Sequence, residues 1–434
     1  MYKPTAMKFL FLCMLSIPSA FATVGSQNDP VPGWASQNGG TTGGKGGTEV
    51  TVTTMADLKK YAKMSGKYVI WVKGTMGSFG TRGEGNGDRV AVAADKSILG
   101  LPGAVVKGGF DIDGVKNVIL RNLAIMGPGA CDNKCGSAGE GRQDNITIIG
   151  GATNIWLDHL DVADGEDGNT DITKKADFVT ISWTKFHYTD ASYASGTSGY
   201  SHRFCNLLGG DNSEGSDGKL NTTFYKTWWG EGVAERMPRV RFGKVHVANC
   251  LFNSADKGQT HNIRAAYKAD ILVDASLFIN QKKPIDLFEG DYTAITVNSN
   301  NSFSGCSGNM AGSKIAFTPL YAKLALSAAT GLQAELTSST DGAGATISSW
   351  GSTGVTPRHE ASQVRLTRDG GAWTLWNSLS EDLPVVVLGM DGRRLGEMVL
   401  PAGNSAALPK SSISRVVRIE GRNGVHETRL VPGL

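Results

Sequence analysis

Six segments of the chain repeat one arrangement of apolar and polar positions: NVILRNLAI (117–125), NIWLDHLDV (154–162), DFVTISWTKF (177–186), KVHVANCLF (244–252), DILVDASLF (270–278) and AITVNSNNSF (294–303). In each, two apolar residues alternate with other residues, and a second apolar pair follows after a gap of about four positions. Where nothing intervenes, successive copies fall roughly 24–26 residues apart, inside the period range of solenoids. Alternation rich in β-branched residues predicts strands, and so short a period leaves no room for a helix in every repeat. The pattern predicts an all-β chain built as a parallel β-solenoid, its inward Val, Ile, Leu and Phe stacking on the same positions of adjacent coils.

The intervals between repeats are as informative as the repeats. Segments 126–143, 187–203 and 210–222 are rich in Gly, Ser, Asp and Asn. They are expected to project from one side of the stack, where such loops commonly form a binding face. Residues 23–47, ending in the glycine-rich run Gly39–Gly47, read as a flexible approach. EVTVTTMADLKKYAKMSGKYVIWVKG (49–74) offers a strand, an amphipathic helix from Met55 to Met64 and another strand, a cap for the open end of the coil. The repetitive domain is bounded at 48–348, a linker at 349–372, and a small β-rich module at 373–434. In that module Asp391-Gly392 and Asn423-Gly424 are hairpin turns between alternating apolar runs.

Composition narrows the setting. Lys and Arg number 43 against 40 Asp and Glu, a formal charge of +3. That is no global basic field of the kind nucleic-acid binders carry, so any anion site must be local. Lys3 and Lys8 precede an apolar run from Phe9 to Ile17, and Ala20-Phe21-Ala22 gives a small-x-small cleavage pattern. Residues 1–22 therefore read as an export signal too short to span a bilayer; a start at Met7 gives a tidier version. After its removal five cysteines remain, Cys131, Cys135, Cys205, Cys250 and Cys306, so at least one stays unpaired. Cys131 and Cys135 suit a short disulfide in an oxidising compartment, with a zinc site as the rival reading. Cys250 reads as a small buried hydrophobe.

Three constellations could carry chemistry. Asp167 and Asp171 lie in DGEDGNTDI, and Asp144 lies one coil earlier in GRQDNITI. Clustered carboxylates on loops bind hard cations such as calcium, although these miss the EF-hand spacing and serve equally as turn residues. AERMPRVR (234–241) concentrates Arg236, Arg239 and Arg241, and Arg264 follows in HNIRAAY. The planar arginine fork suits carboxylate ligands; a solvated basic face is the alternative. His159, in WLDHLDV, reads as a hydrogen-bonded structural residue, with Asp158 and Leu160 on the opposite face. Trp228-Trp229 fits either a sugar platform or a packed coil corner.

NIWLDH, DGNTDITKKADFVTISW, HRFCNLLGG, AERMPRVRFGKVHVANCLFN and HNIR occur in the order found in the pectate lyase family, and over residues 48–348 the chain resembles that family. The resemblance implies a right-handed parallel β-helix and calcium-assisted β-elimination of de-esterified pectin, polygalacturonate. By position it implies Asp144, Asp167 and Asp171 as calcium ligands, Arg236 as Brønsted base, and Arg241 and Arg264 as substrate-binding residues. Free arginine titrates at about 12.5–13.8, so this role requires a neutral Arg236 at least transiently and implies an alkaline optimum. Family members often carry a substrate-binding lysine soon after the VTISW strand. Here no lysine lies between Lys185 and Lys219, and Arg203 stands nearest the expected place as a substitute.

The rival readings are a pectin lyase acting on methyl-esterified polymer without calcium, a polygalacturonase-type hydrolase, and a non-catalytic pectin-binding solenoid. The retained acidic trio argues against the first, and a hydrolase needs an acid and base carboxylate pair. The tail is similar to C-terminal sorting or attachment modules of secreted bacterial enzymes, with a carbohydrate-binding module as the alternative. The implied protein is a secreted monomer acting on pectin, with neither a membrane span nor a nucleic-acid partner.

Overall fold

The computed structural model describes residues 23–82, 87–131, 143–189, 202–254 and 259–351, together with the strands of the C-terminal module between 364 and 431. The proposed export signal and Cys135 lie outside the described residues. By contacts the chain divides into two units, Met1–Ser352 and Thr353–Leu434.

The first unit is a parallel β-helix. Three sheets of ten, nine and eight strands run its length, and all their pairings are parallel. One coil shows the plan: Thr153–Asp158 belongs to the ten-stranded sheet, Asp161–Ala163 to the nine-stranded and Thr170–Ile172 to the eight-stranded. Between the first two strands of successive coils the chain turns on a single left-handed residue. These are Asn122, His159, Trp183, Lys226, Asn249 and Ala275, with φ between 45° and 56°. Each of the first five donates its backbone N–H to the coil above, as His159 does to Ser182 O at 3.0 Å. The turn explains the gap in the sequence repeat. Alternation runs up to the bend, is interrupted there, and resumes with a buried residue such as Leu160.

For that reason Asp158 and Leu160 do not share a face, contrary to simple alternation. Leu160 enters the core, whereas Asp158 is tied to Arg121 Nε at 2.6 Å. His159 is structural, as read: its Nδ1 meets Asp158 at 2.7 Å and its ring stacks on Trp183. The core is layered in register. Phe186, Trp229, Phe252, Phe278 and Phe303 pair position for position across the nine-stranded sheet, with successive ring centroids 6.3, 4.6, 4.1 and 4.8 Å apart. Trp229 is therefore core, and half-buried Trp228 donates to Asn253 Oδ1 at 2.6 Å.

The helix Met55–Lys63 forms where the amphipathic pattern predicts it. Thr54 caps it by accepting from the Asp57 N–H, and Leu58 and Ala62 are buried. Residues 23–47 are not a flexible approach. Trp34 and Ala35 are buried, their N–H groups donating to Thr223 Oγ1 and Thr180 Oγ1 on the ten-stranded sheet. Thr23–Gly25 pairs in parallel with Ile347–Trp350, so the expected linker also begins later than 349. Glycine richness misled here because Gly33, Gly39, Gly40, Gly43 and Gly46 serve positive-φ turns in a strap packed against the coil.

The second unit is all antiparallel. Its first strand, Val364–Asp369, pairs with Ala372–Asn377, which places the module's start inside the expected linker. Leu383–Gly389 pairs with Arg394–Leu400, and Arg415–Gly421 with Gly424–Val431, the two hairpins read from the sequence. Cys205, Cys250 and Cys306 are free, and Cys131 is disulfide-bonded. Cys250 is buried, its thiol directed at the Ala248 and Phe224 carbonyls. No described helix is long and apolar enough to cross a membrane.

Candidate active site

Insertions 126–143 and 187–203 both precede strands of the eight-stranded sheet, and 210–222 follows one; all three flank that sheet. Its strands present alternate residues outward because Ile148, Ile172, Leu208, Val240 and Ala265 fill the interior. Register then fixes an outward row in the order Asp111, Thr147, Asp171, Leu207, Arg239, Arg264 and Asp286. Acidic groups occupy one stretch of this row and basic groups the next.

Asp144, Asp167 and Arg236 lie on the turns that lead into the same sheet. Asp144 and Asp171 lie close enough together to perturb each other's ionisation. Burial, reinforced by the neighbouring carboxylates, holds Asp144 well above the usual carboxylate range and raises Asp171 as well; Arg236 opposes both shifts. Arg89 positions Asp144 through its backbone carbonyl and ion-pairs with Asp111. Asp167 is turned to His202, 2.7 Å from Nδ1. His202 stacks on Phe204 at 4.8 Å, and the Arg236 guanidinium lies over the same ring at 4.1 Å. Arg236 thus stands at the seam between carboxylates and arginines. Its backbone is pinned on both sides, with Asn206 N–H donating to Arg236 O and Met237 N–H donating to Asn262 O.

The basic half is crowded. Burial and the nearby Arg241, Arg236 and Arg264 push Arg239 down to about 10. Burial, then Arg236, lowers Arg241 too. Arg241 is held by the insertion after its neighbouring coil, donating to Gly209 O at 2.6 Å and Asn212 Oδ1 at 3.1 Å. Arg264 ion-pairs with Asp286 at 2.5 Å. Among the described residues, Arg236, Arg239 and Arg241 pair with no carboxylate, and Nε of Arg236 and of Arg239 is buried without a partner.

The structure therefore brings Asp144, Asp167, Asp171, Arg236, Arg241 and Arg264 onto one face. Arg203 also lies on a turn that leads into the same sheet, just before Asn206–Leu208; its side chain is 8% exposed and its Nε donates to Gly232 O at 3.1 Å. Most of the insertion preceding Arg203 (190–201) lies outside the described residues.

The donor set suits a hard cation in kind, since it is all carboxylate oxygen. Burial and neighbouring carboxylates disfavour the ionised forms of Asp144 and Asp171, a cost that a bound cation would offset. No shell of three His, Cys, Asp or Glu ligands is assembled among the described residues; Asp167 would have to turn from His202 to complete one.

The sequence profile of the pectate lyase family matches residues 13–346. The chain belongs to the pectate lyase family. Members of that family are polysaccharide lyases. The chain is 33% identical over 299 residues to a pectate lyase of Emericella nidulans, covering 66% of this chain and 79% of the relative. Pectate lyase E of Dickeya chrysanthemi is 32% identical over 269 residues, 55% of this chain and 66% of that protein. A solved pectate lyase from Paenibacillus matches with a TM-score of 0.61 at 18% identity, covering 75% of this chain and 98% of the other. A Bacillus pectate lyase in complex with trigalacturonate gives 0.53 at 23% identity, covering 70% and 96%. At these identities the structural likeness is one of fold, and it is the β-helix expected from the repeat.

Sequence reasoning on this family member missed Arg89, His202, Phe204 and Phe288. The first three line the acidic half or link it to Arg236. Phe288 underlies Arg239 and Arg264 at 5.2 and 4.3 Å. His202 and Phe204 lie in the HRFCNLLGG motif, which gave them no role, and Arg89 and Phe288 lie in none. Their placement in the site follows from register across coils, which was beyond reach where insertions of unknown length intervene.

Proposed function

We propose that the protein is a calcium-dependent pectate lyase that cleaves de-esterified homogalacturonan by β-elimination, with Arg236 as base. One observation carries the reading. Two buried carboxylates, Asp144 and Asp171, lie beside three arginines that pair with no carboxylate among the described residues, so the face lacks a cation on one side and an anion on the other. A polyuronate together with a divalent cation answers both deficits.

Asp144, Asp167 and Asp171 would hold the calcium, which when bound to a uronate carboxylate makes the adjacent proton more acidic. Arg236, at the seam, takes the proton α to the carboxylate. As that bond breaks, the glycosidic bond at the β carbon breaks, a carbon–carbon double bond forms, and the departing oxygen is protonated from solvent. Arg241 and Arg264 hold the uronate carboxylates and offset the charge that accumulates in the transition state.

The test is incubation with polygalacturonate and with highly methylated pectin, with calcium or with chelator, following the ultraviolet absorbance of unsaturated uronide. Calcium-dependent product on polygalacturonate, rising toward alkaline pH, is expected. Product on methylated pectin alone, or no unsaturated product from a folded protein, overturns the reading. The export signal read in residues 1–22 supports secretion, and the separate C-terminal unit supports a role in sorting or attachment.

A further inference from the structure

We propose that Arg239 is a substrate-binding residue that takes the uronate carboxylate next along the polymer from the one held at Arg241. The inference rests on the pectate-binding reading and extends it to a residue that the family motif leaves without a role. Three features of the site carry it.

Arg239 lies in the outward row, in register with Arg264 on the adjacent coil and with Leu207 and then Asp171 on the other side. Strands in a sheet lie about 4.7–4.9 Å apart. Arg239 thus stands roughly 10 Å along the row from Asp171 and one coil short of Arg264. A linear polyuronate lying along the row presents a carboxylate on every sugar, and these positions span more than one of them.

Arg239 and Arg264 also share one aromatic support, the Phe288 ring, at 5.2 and 4.3 Å. A ring beneath two guanidinium groups orients their planes. Arg264 is already bonded to Asp286 through Nε, whereas Arg239 meets no carboxylate among the described residues. Of the two, Arg239 has the greater capacity for a new anion.

A folding role does not account for this placement. Arg239 is half-buried among Arg236, Arg241 and Arg264, and their charges and its desolvation work against its ionised form. Such a cluster costs stability until an anion enters. A bidentate carboxylate bond is the interaction that a guanidinium in this position lacks.

The experiment compares wild type with Arg239→Gln and Arg239→Lys on polygalacturonate and on methyl-esterified pectin. Affinity for hexagalacturonate is measured by calorimetry in an Arg236→Lys background. Arg239→Gln should raise KM for polygalacturonate by ~10-fold with kcat changed far less, weaken hexagalacturonate binding similarly, and leave thermal stability equal or higher. Arg239→Lys should recover part of the loss, and methyl-esterified substrate should respond little to either change. Unchanged KM and unchanged hexagalacturonate affinity would overturn the proposal. So would lowered stability with kcat and KM disturbed alike on both substrates, which marks a structural role. Wild-type protein that binds hexagalacturonate but makes no unsaturated product overturns the lyase reading alone, and the affinity comparison still decides Arg239. Wild-type protein that binds no hexagalacturonate overturns both.

Discussion

His261 supplies a test of the charge arrangement that needs no substrate. Its ring is buried, 1% exposed, and faces Arg264, Arg239, Lys283 and Arg236. Nδ1 lies 2.8 Å from Thr260 Oγ1, whose hydroxyl donates to Glu235 at 2.8 Å, so Nδ1 is the protonated nitrogen. Nε2 is left as a lone pair without a partner. Burial, then the surrounding cations, pulls the imidazole down to about 2, while an unfolded histidine titrates near about 6.5. Because the folded value is the lower, only the unfolded chain takes up this proton as pH falls. The associated stability is complete above about 6.5 and is lost below it. At pH 5 the loss is roughly 2 kcal/mol, and at pH 5.5 roughly 1.4 kcal/mol. Elevated Asp144 and Asp171 act with the opposite sign in the same range, so wild-type stability alone does not isolate the effect. The difference between wild type and His261→Gln does, because every other group is common to both. Urea unfolding in chelator at pH 8 and pH 5 should show the variant gaining about 2 kcal/mol relative to wild type as pH falls. A difference that stays flat would mean that His261 titrates alike in both states, and the cationic pocket described around it would be wrong.

Arg236→Lys should reduce turnover on polygalacturonate by about 100-fold or more, the scale of a lost general base, while polymer still binds in a calorimetric titration. Arg121→Met should destabilise the β-helix by about 3–5 kcal/mol, read by denaturant unfolding. Asp158 is 2% exposed in side chain and, although burial alone would raise it, His159 and Arg121 hold it near about 2; without Arg121 it is a buried, poorly paired charge. Arg121 belongs to the ten-stranded sheet, so kcat of the folded variant should stay near wild type. A chain ending at Ser352, where the first unit closes, should retain lyase activity in full. Comparing its export and its affinity for insoluble pectin with the full chain separates a sorting module from a carbohydrate-binding one.

Periodicity made the coil legible because each repeat must bury the same inward positions against the next, and that demand leaves its mark residue by residue. It also made Cys250 and the Met55–Lys63 cap legible. Three features were hidden for physical reasons. The bend residues take a left-handed conformation with side chains as different as Asn122, Trp183 and Lys226, so no composition rule marks them. The N-terminal strap looked flexible because its glycines are also what a tight, packed turn requires. The aromatic support of Arg236 was hidden because His202 and Phe204 reach it through parallel register, across insertions that sequence spacing does not measure.

The same register explains why the charges separate rather than pair. In a parallel stack each outward position meets its counterpart one coil away, so opposite charges in adjacent coils neutralise each other, as Arg264 and Asp286 do. Between Asp171 and Arg239 the row places Leu207, which denies both a cross-coil partner. A charged residue there would close the gap with an internal ion pair and take one end of the row out of use. An apolar spacer preserves an acidic stretch that attracts a cation and a basic stretch that attracts an anion. Leu207→Lys should therefore bring a basic partner beside Asp171, lower the calcium affinity of the acidic group and raise the calcium concentration needed for half-maximal activity. An unchanged calcium requirement would mean that this spacing does not control the site.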